Sequence, residues 1–166
     1  MILRSVKRRV AMFCVNRLFA GTKYFDIKRK LLRSAGYEIG EGAKIVGPVF
    51  CTGSLKIGCH TWVGRNLTVH GNGCVEIGDR CDIAPDVTFL TGGHAIGGAE
   101  RRAGAGETYE ICVGDGCWIG ARATVGRNVR IGDGTVVGAC ACVMADVAEN
   151  TLVGGVPARP IRKLEV

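Results

Sequence analysis

His94 follows two glycines in Thr91-Gly92-Gly93-His94-Ala95-Ile96 and precedes the pair Arg101-Arg102. An imidazole changes charge close to neutral pH, so it can take up a proton and return it within one catalytic cycle. Glycines beside it let another backbone or a substrate approach closely. The other two histidines carry less. His60 lies at an outward position and reads as surface, and His70 lies in Val69-His70-Gly71. The nine cysteines are an odd number and do not form a secreted disulfide framework. Cys140 and Cys142 make a C-x-C pair with no histidine nearby and no second pair at zinc spacing, so no metal site is expected.

The elements that hold these residues come from a six-residue rhythm. Aliphatic positions fall at 39, 45, 51, 57 and 63, then 77, 83 and 89, then 113, 119, 125, 131, 137 and 143. Twelve of the fourteen are Ile or Val, the exceptions being Cys51 and Phe89, and nine are followed by Gly. Six is a multiple of the strand period of two and not of 3.6, so the repeat predicts short strands and not a helix. None can bury its face alone, which describes a stacked solenoid. Cys81 and Cys117 fall where other hexads place Ala43, Thr61, Ala123, Thr135 and Ala141, and read as small hydrophobes. Two breaks interrupt the beat. Two extra residues between Val63 and Ile77 predict a bulge around 69–71, and the pattern vanishes across 91–110 while its phase is kept. That second segment reads as a long loop without secondary structure, the kind that carries function. His94 opens it.

The net charge of +7 is not spread evenly. Residues 1–33 hold ten Lys or Arg against the single acid Asp26, so the basic character belongs to an N-terminal arm. Its apolar residues, Val6, Val10, Phe13 and Leu18 among them, make it a basic amphipathic helical arm. Packing on the body or on a neighbouring subunit is the first reading of that arm, and peripheral contact with an anionic membrane the second. It has no aromatic interleaving and no nucleic-acid reader motif, so no nucleic acid partner is expected. No secretory signal is evident, and the chain reads as cytoplasmic, the arm offering a route to the inner face of the membrane. The expected division is a basic arm over 1–36, a β-helix over 37–155 with a protruding loop at 91–110, and a basic tail over 156–166.

The repeat resembles that of the hexapeptide-repeat acyltransferases, which fold as an all-β solenoid, a left-handed parallel β-helix with three hexads to a coil. Fourteen hexads would make four to five coils. Ile77-Gly78-Asp79, Ile83-Ala84-Pro85-Asp86-Val87, Gly93-His94, Arg101, Val113-Gly114-Asp115 and Trp118-Ile119-Gly120 follow in an order similar to the galactoside and maltose O-acetyltransferase branch. The resemblance implies an acetyl-CoA-dependent O-acetyltransferase, a homotrimer with a saccharide acceptor, whose general base is His94. It puts Arg101 and Trp118 beside the substrate. It also puts Trp118, Gly120, Ala121 and Ala139 along acetyl-CoA, in a groove between neighbouring subunits. Gly155-Val156-Pro157-Ala158-Arg159-Pro160-Ile161-Arg162-Lys163 matches the family's C-terminal stretch, so Arg159 and Arg162 would hold the CoA phosphates as planar donors. The branch's sugar-contacting Asn aligns nearest Gly64. Asn66, two residues on and read on the same strand face, is the candidate in its place, and His70 would line the acceptor site. Leu31-Leu32-Arg33-Ser34-Ala35-Gly36-Tyr37 after the arm is similar to acetyltransferases of capsule or exopolysaccharide assembly.

Other chemistries share this solenoid. A carbonic-anhydrase-type hydratase needs three zinc-binding histidines, and His60, His70 and His94 show no paired H-x(4)-H spacing. A non-enzymatic scaffold has no need of a glycine-flanked histidine or an arginine tail. Serine acetylation and amino-sugar N-acetylation stay open.

Overall fold

The computed structural model describes residues 2–165, and the side chains of residues 6–165. The aliphatic residues of the repeat lie on short strands and turn inward. Residues eighteen apart pair in parallel: Ile39 with Ile57, Ile45 with Val63, Cys51 with Val69. Three hexads thus close one coil, and the coils stack into a left-handed parallel β-helix with three faces. The first face holds strands Glu38–Ile39, Ser54–Ile57, Cys74–Ile77, Glu110–Val113 and Arg130–Ile131. The second holds Lys44–Ile45, Trp62–Val63, Asp82–Ile83, Trp118–Ile119, Val136–Val137 and Thr151–Gly155. The third holds Val49–Cys51, Leu67–His70, Thr88–Leu90, Thr124–Gly126 and Cys142–Val143. A two-residue strand has no stability of its own. Buried columns such as Ile45, Val63, Ile83, Ile119, Val137 and Val153 hold the coils together, each side chain contributing about 1.5–3 kcal/mol on burial.

The stack is longer than the hexad count implies, with five complete coils and part of a sixth formed by Val147 and Val153. Val69 is no bulge residue. It lies in phase six after Val63, is buried, and pairs with Cys51 and Phe89. The two inserted residues fall after His70, in the turn through Gly71, Asn72 and Gly73. The final coil is shortened by two, so its corners follow Val143 out of step with the beat.

The small interior residues do more than fill space. Thr61 Oγ1 donates to the Gly78 carbonyl at 2.7 Å and Thr135 Oγ1 to the Ala148 carbonyl at 3.0 Å. Cys81 and Cys117 occupy the same column, their Sγ atoms 3.1 Å from the Gly114 and Gly132 carbonyls. Reading them as small hydrophobes thus misses their thiol, which donates to the next coil as the threonine hydroxyls do. Outside, the aspartates of the Ile/Val-Gly-Asp triplets form a second ladder. Asp79 accepts from the Cys59 N–H at 2.6 Å, Asp115 from Asp79 at 2.8 Å and Asp133 from Asp115 at 2.8 Å.

The basic arm has a structural task that its composition hides. Along the faces, N–H groups of one coil bond to carbonyls of the next, as from Lys44 to Thr61 at 2.8 Å and Val46 to Val63 at 2.9 Å. The carbonyls of the first coil are left without a preceding coil, and buried carbonyls need partners. Helix α1 (Ile2–Phe13), a π-helical turn (Cys14–Leu18) and helix α2 (Phe25–Ser34) cover that end. Arg8 donates to the Cys51 and Gly53 carbonyls at 3.0 and 2.8 Å, and Asn16 to Val49 at 2.8 Å. Arg29 reaches Ala43 at 3.2 Å and Arg33 reaches Ile39 at 2.7 Å. The inner side of the arm therefore packs on the body, as its first reading expected, and covers edges that would otherwise invite strand pairing.

Lys28 belongs to the same cap. It is fully buried, its Nζ donating to the Gly21 and Val46 carbonyls at 2.6 and 3.2 Å and lying 4.6 Å from the Phe25 ring centre. Desolvation pushes its ammonium down to about 8 from 10.5. A depressed basic group binds fewer protons folded than unfolded, so its contribution to stability is poorest below pH 8 and improves as pH rises toward 10.5. The unfolding free energy of the wild type relative to Lys28→Met is accordingly expected to rise across that window by an amount on the order of 1–3 kcal/mol. Urea unfolding of both proteins at a series of pH values checks this, and parallel curves would count against it.

Candidate active site

The segment between residues 91 and 110 is not an irregular loop. Gly92–Ile96 and Ala103–Thr108 form an antiparallel hairpin, with Gly92 opposite Thr108, Gly93 opposite Glu107 and His94 opposite Gly106. Cross-strand pairing satisfies a backbone that reaches out from the solenoid. The flanking glycines are used as anticipated, for close approach. A Cβ at Gly93 would lie 2.6 Å from the Tyr109 hydroxyl oxygen, and one at Gly92 3.1 Å from the Gly71 Cα. Tyr109, which sequence reading overlooked, packs under the hairpin and donates to Glu107 at 2.8 Å.

His94 is exposed on this hairpin, its Nδ1 3.0 Å from the Gly104 carbonyl oxygen. A carbonyl only accepts, so in the neutral ring the proton sits on Nδ1 and the lone pair on Nε2. The hairpin strand opposite thereby orients the ring and presents Nε2 as a base. Arg101 lies in the turn of the same hairpin, exposed, its backbone N–H donating to Gly98 at 3.2 Å.

Residues far apart in sequence come together on the second face. Its edge is extended by an antiparallel strand, Ala158–Lys163, where a tail was expected. One register row then runs along the outer surface: Lys44, Trp62, Asp82, Trp118, Val136, Leu152, Arg162. Trp118 and Arg162 are three strands apart, roughly 14 Å at ordinary strand spacing. Arg159 pairs with Gly154, the next outward position, and both arginine side chains are exposed. Gly120, Ala121 and Ala139 stack at the neighbouring corner. A Cβ at Gly120 would lie 2.6 Å from the Ala139 nitrogen, and the Ala121 carbonyl accepts from Cys140 at 2.8 Å. The row also brings in two residues that sequence reading missed. Trp62, Asp82 and Trp118, with Ile83 and Ala84, line a surface cavity of about 320 Å³. Trp62 is braced by Phe25 of α2 at 5.8 Å between ring centres, and Trp118 is 57% exposed.

Asn66 and His70, the other expected substrate contacts, lie off this row, as His94 does. Asn66 is not on a strand. It takes a left-handed turn with φ 60°, and its side-chain amide donates to Asp86 at 2.8 Å. His70 ends its strand before the insertion and is exposed on the third face, its carbonyl held by Thr91 N–H at 2.7 Å and Thr91 Oγ1 at 2.9 Å. Within one chain the hairpin leaves the corner between the third and first faces, opposite the face that carries Trp118 and Arg162. Among the described residues no group of His, Cys, Asp or Glu could hold a metal ion.

A three-sided β-helix of hexads, with a histidine on a protruding hairpin and an arginine-bearing edge strand, defines a class of transferase. The chain belongs to the hexapeptide-repeat acetyltransferases. Residues 113–145 match the family described as Bacterial transferase hexapeptide (six repeats). The galactoside O-acetyltransferase of Escherichia coli K12 is 32% identical over 139 residues, 82% of this chain and 68% of the relative. A putative colanic acid biosynthesis acetyltransferase of the same strain is 33% identical over 135 residues, 80% of this chain and 72% of the relative. The crystal structure of a hexapeptide-repeat acetyltransferase from Vibrio cholerae, complexed with acetyl-CoA, superposes with a TM-score of 0.85. It is 28% identical, covering 99% of this chain and 88% of that one.

Proposed function

We propose that the protein transfers an acetyl group from acetyl-CoA to a hydroxyl of a saccharide, directly and without an acyl-enzyme. The observation that carries this reading is His94 with Nδ1 committed to Gly104 and Nε2 open. Nε2 takes the proton of the acceptor hydroxyl as that oxygen bonds to the thioester carbonyl carbon. The C–S bond then breaks, and the imidazolium returns the proton to the departing thiolate. The oxyanion formed on the way requires N–H donors. No cysteine is set up as a competing nucleophile: Cys81 and Cys117 are buried in the solenoid interior, and no thiol, exposed Cys140 included, is hydrogen-bonded to a histidine among the described residues.

The row on the second face supports a path for the cofactor. Arg159 and Arg162 at the edge strand would take the phosphates, and the thiol arm would run past Ala139, Ala121 and Gly120 to Trp118. Trp62 and Asp82 beyond it would meet the acceptor, an indole plane suiting the C–H face of a sugar ring and a carboxylate suiting its hydroxyls. Because the hairpin leaves the corner opposite this face, His94 and Trp118 complete one site only between two copies, in line with a homotrimer. The names of the galactoside and colanic acid relatives support a saccharide acceptor, with exopolysaccharide assembly as its setting.

Acetyl-CoA turnover against a panel of mono- and oligosaccharides, read by mass of the product, tests the reading, and no acetylated sugar with any member would overturn it. In the same assay Arg159→Gln with Arg162→Gln is expected to raise the KM for acetyl-CoA roughly 10- to 100-fold with kcat little changed, since charge-assisted bonds to phosphate serve ground and transition states alike. An unchanged KM would remove these arginines from the cofactor path.

A further inference from the structure

We propose that the outer side of the N-terminal arm docks on an anionic lipid bilayer. End-capping accounts for Arg8, Lys28, Arg29 and Arg33. It does not account for Lys7, Arg9, Arg17, Lys23 and Lys30, which are exposed and pair with no carboxylate among the described residues. The arm's one acid, Asp26, is held by Arg29.

On α1, Lys7 and Arg9 flank an apolar stripe. Val6, Val10 and Phe13 fall at helical spacing on the side of α1 opposite buried Ala11 and Val15, and are 50%, 56% and 59% exposed. Leu18, Tyr24 and Ile27 of the same arm are exposed as well, so six of the twelve large apolar side chains left exposed among the described residues lie within residues 6–27. An apolar face rimmed by cations fits the boundary between lipid headgroups and acyl chains. Charge complementarity selects an anionic bilayer as the occupant: unpaired cations around an apolar stripe match a sheet of anionic headgroups, whereas an arm-to-arm contact with a second copy would set them against their own kind. No helix among the described residues is long and apolar enough to cross a membrane, so the contact would be peripheral. Arg8 and Asn16 tie α1 and the π-helical turn to the first coil, so the outer side is presented by the folded chain. The proposal is independent of the acetyl-transfer reading.

Co-sedimentation with phosphatidylcholine vesicles, with and without phosphatidylglycerol, provides the test. The wild type is expected to pellet with the anionic vesicles only, and less so as salt is raised. Lys7→Gln, Arg9→Gln and Arg17→Gln together should lower partitioning roughly a hundredfold, and Val10→Ser with Phe13→Ser roughly tenfold. Both variants should keep the wild-type melting temperature and assembly mass, because the altered side chains are exposed. A wild type that stays in the supernatant, or binds both vesicle types equally, overturns the proposal. So does a smaller assembly for Val10→Ser with Phe13→Ser, which would assign the stripe to contact between copies.

Discussion

Replacing His94 by alanine is expected to lower kcat for acetyl transfer by about 100- to 10,000-fold, the usual worth of a positioned general base. The KM for acetyl-CoA should hardly move, because the contacts proposed to hold the cofactor come from Arg159, Arg162 and the row ending at Trp118, while His94 acts on the acceptor proton. Stability should hardly move either. The side chain is exposed and its one hydrogen bond, to Gly104, lies within the hairpin. Mass-detected turnover together with thermal unfolding separates these effects. Equal rates in the two proteins would remove His94 from the mechanism, and a fall in melting temperature would recast it as a structural residue. His94→Asn should fall almost as far as alanine: its amide can still bond to Gly104, but it supplies no base.

Gly73→Ala is the second large effect expected, and it acts at a distance from His94. Gly73 sits at the root of the hairpin, its N–H 3.2 Å from Thr91 Oγ1. The next residue, Cys74, donates to the Tyr109 carbonyl at 3.2 Å, and Tyr109 N–H donates to Thr91 at 2.9 Å. A Cβ on Gly73 would overlap the Tyr109 carbonyl oxygen and lie 2.9 Å from the Thr91 carbonyl oxygen and 3.0 Å from its Cβ. Two of these are backbone atoms locked in hydrogen bonds, so relief comes only by moving the two chain ends on which the hairpin stands. Overpacking of this kind costs about 1–3 kcal/mol, and a shift near 1 Å at a catalytic group lowers kcat by roughly a hundredfold. Gly98→Ala at the hairpin tip is the control, since a Cβ there meets nothing within 4 Å. Urea unfolding and turnover of both variants check the contrast. Wild-type behaviour from Gly73→Ala would show that the hairpin root yields without effect.

Spacing alone determined the solenoid. A period of six keeps Ile57, Val63 and their equivalents facing inward, and nothing but stacking can bury so many short strands. The prominence of His94 was equally legible, since the beat stops where it stands and resumes in phase. The breaks themselves were harder to place. Spacing puts Val69 in a bulge because two extra residues can be inserted anywhere between Val63 and Ile77, and only the pairing of Val69 with Cys51 and of His70 with Leu90 puts them after His70. A hairpin was hidden in residues 91–110 because glycine and scattered charge carry no strand signal, whereas cross-strand bonding forms one regardless. The basic arm was ambiguous for a related reason: charge counts do not tell the four cations that cap carbonyls from the five that face solvent.

Tertiary structure alone decided the neighbours. Trp62, Asp82 and Trp118 each precede an inward aliphatic of the repeat, so their phase is visible in the chain. Their adjacency is not, because it depends on three hexads to a coil and on how many residues each break adds: twenty from Trp62 to Asp82 and thirty-six from Asp82 to Trp118. Side-chain direction follows from local periodicity, which the chain carries in itself. Lateral stacking follows from the length of each full circuit, and that length exists only once the coil has closed.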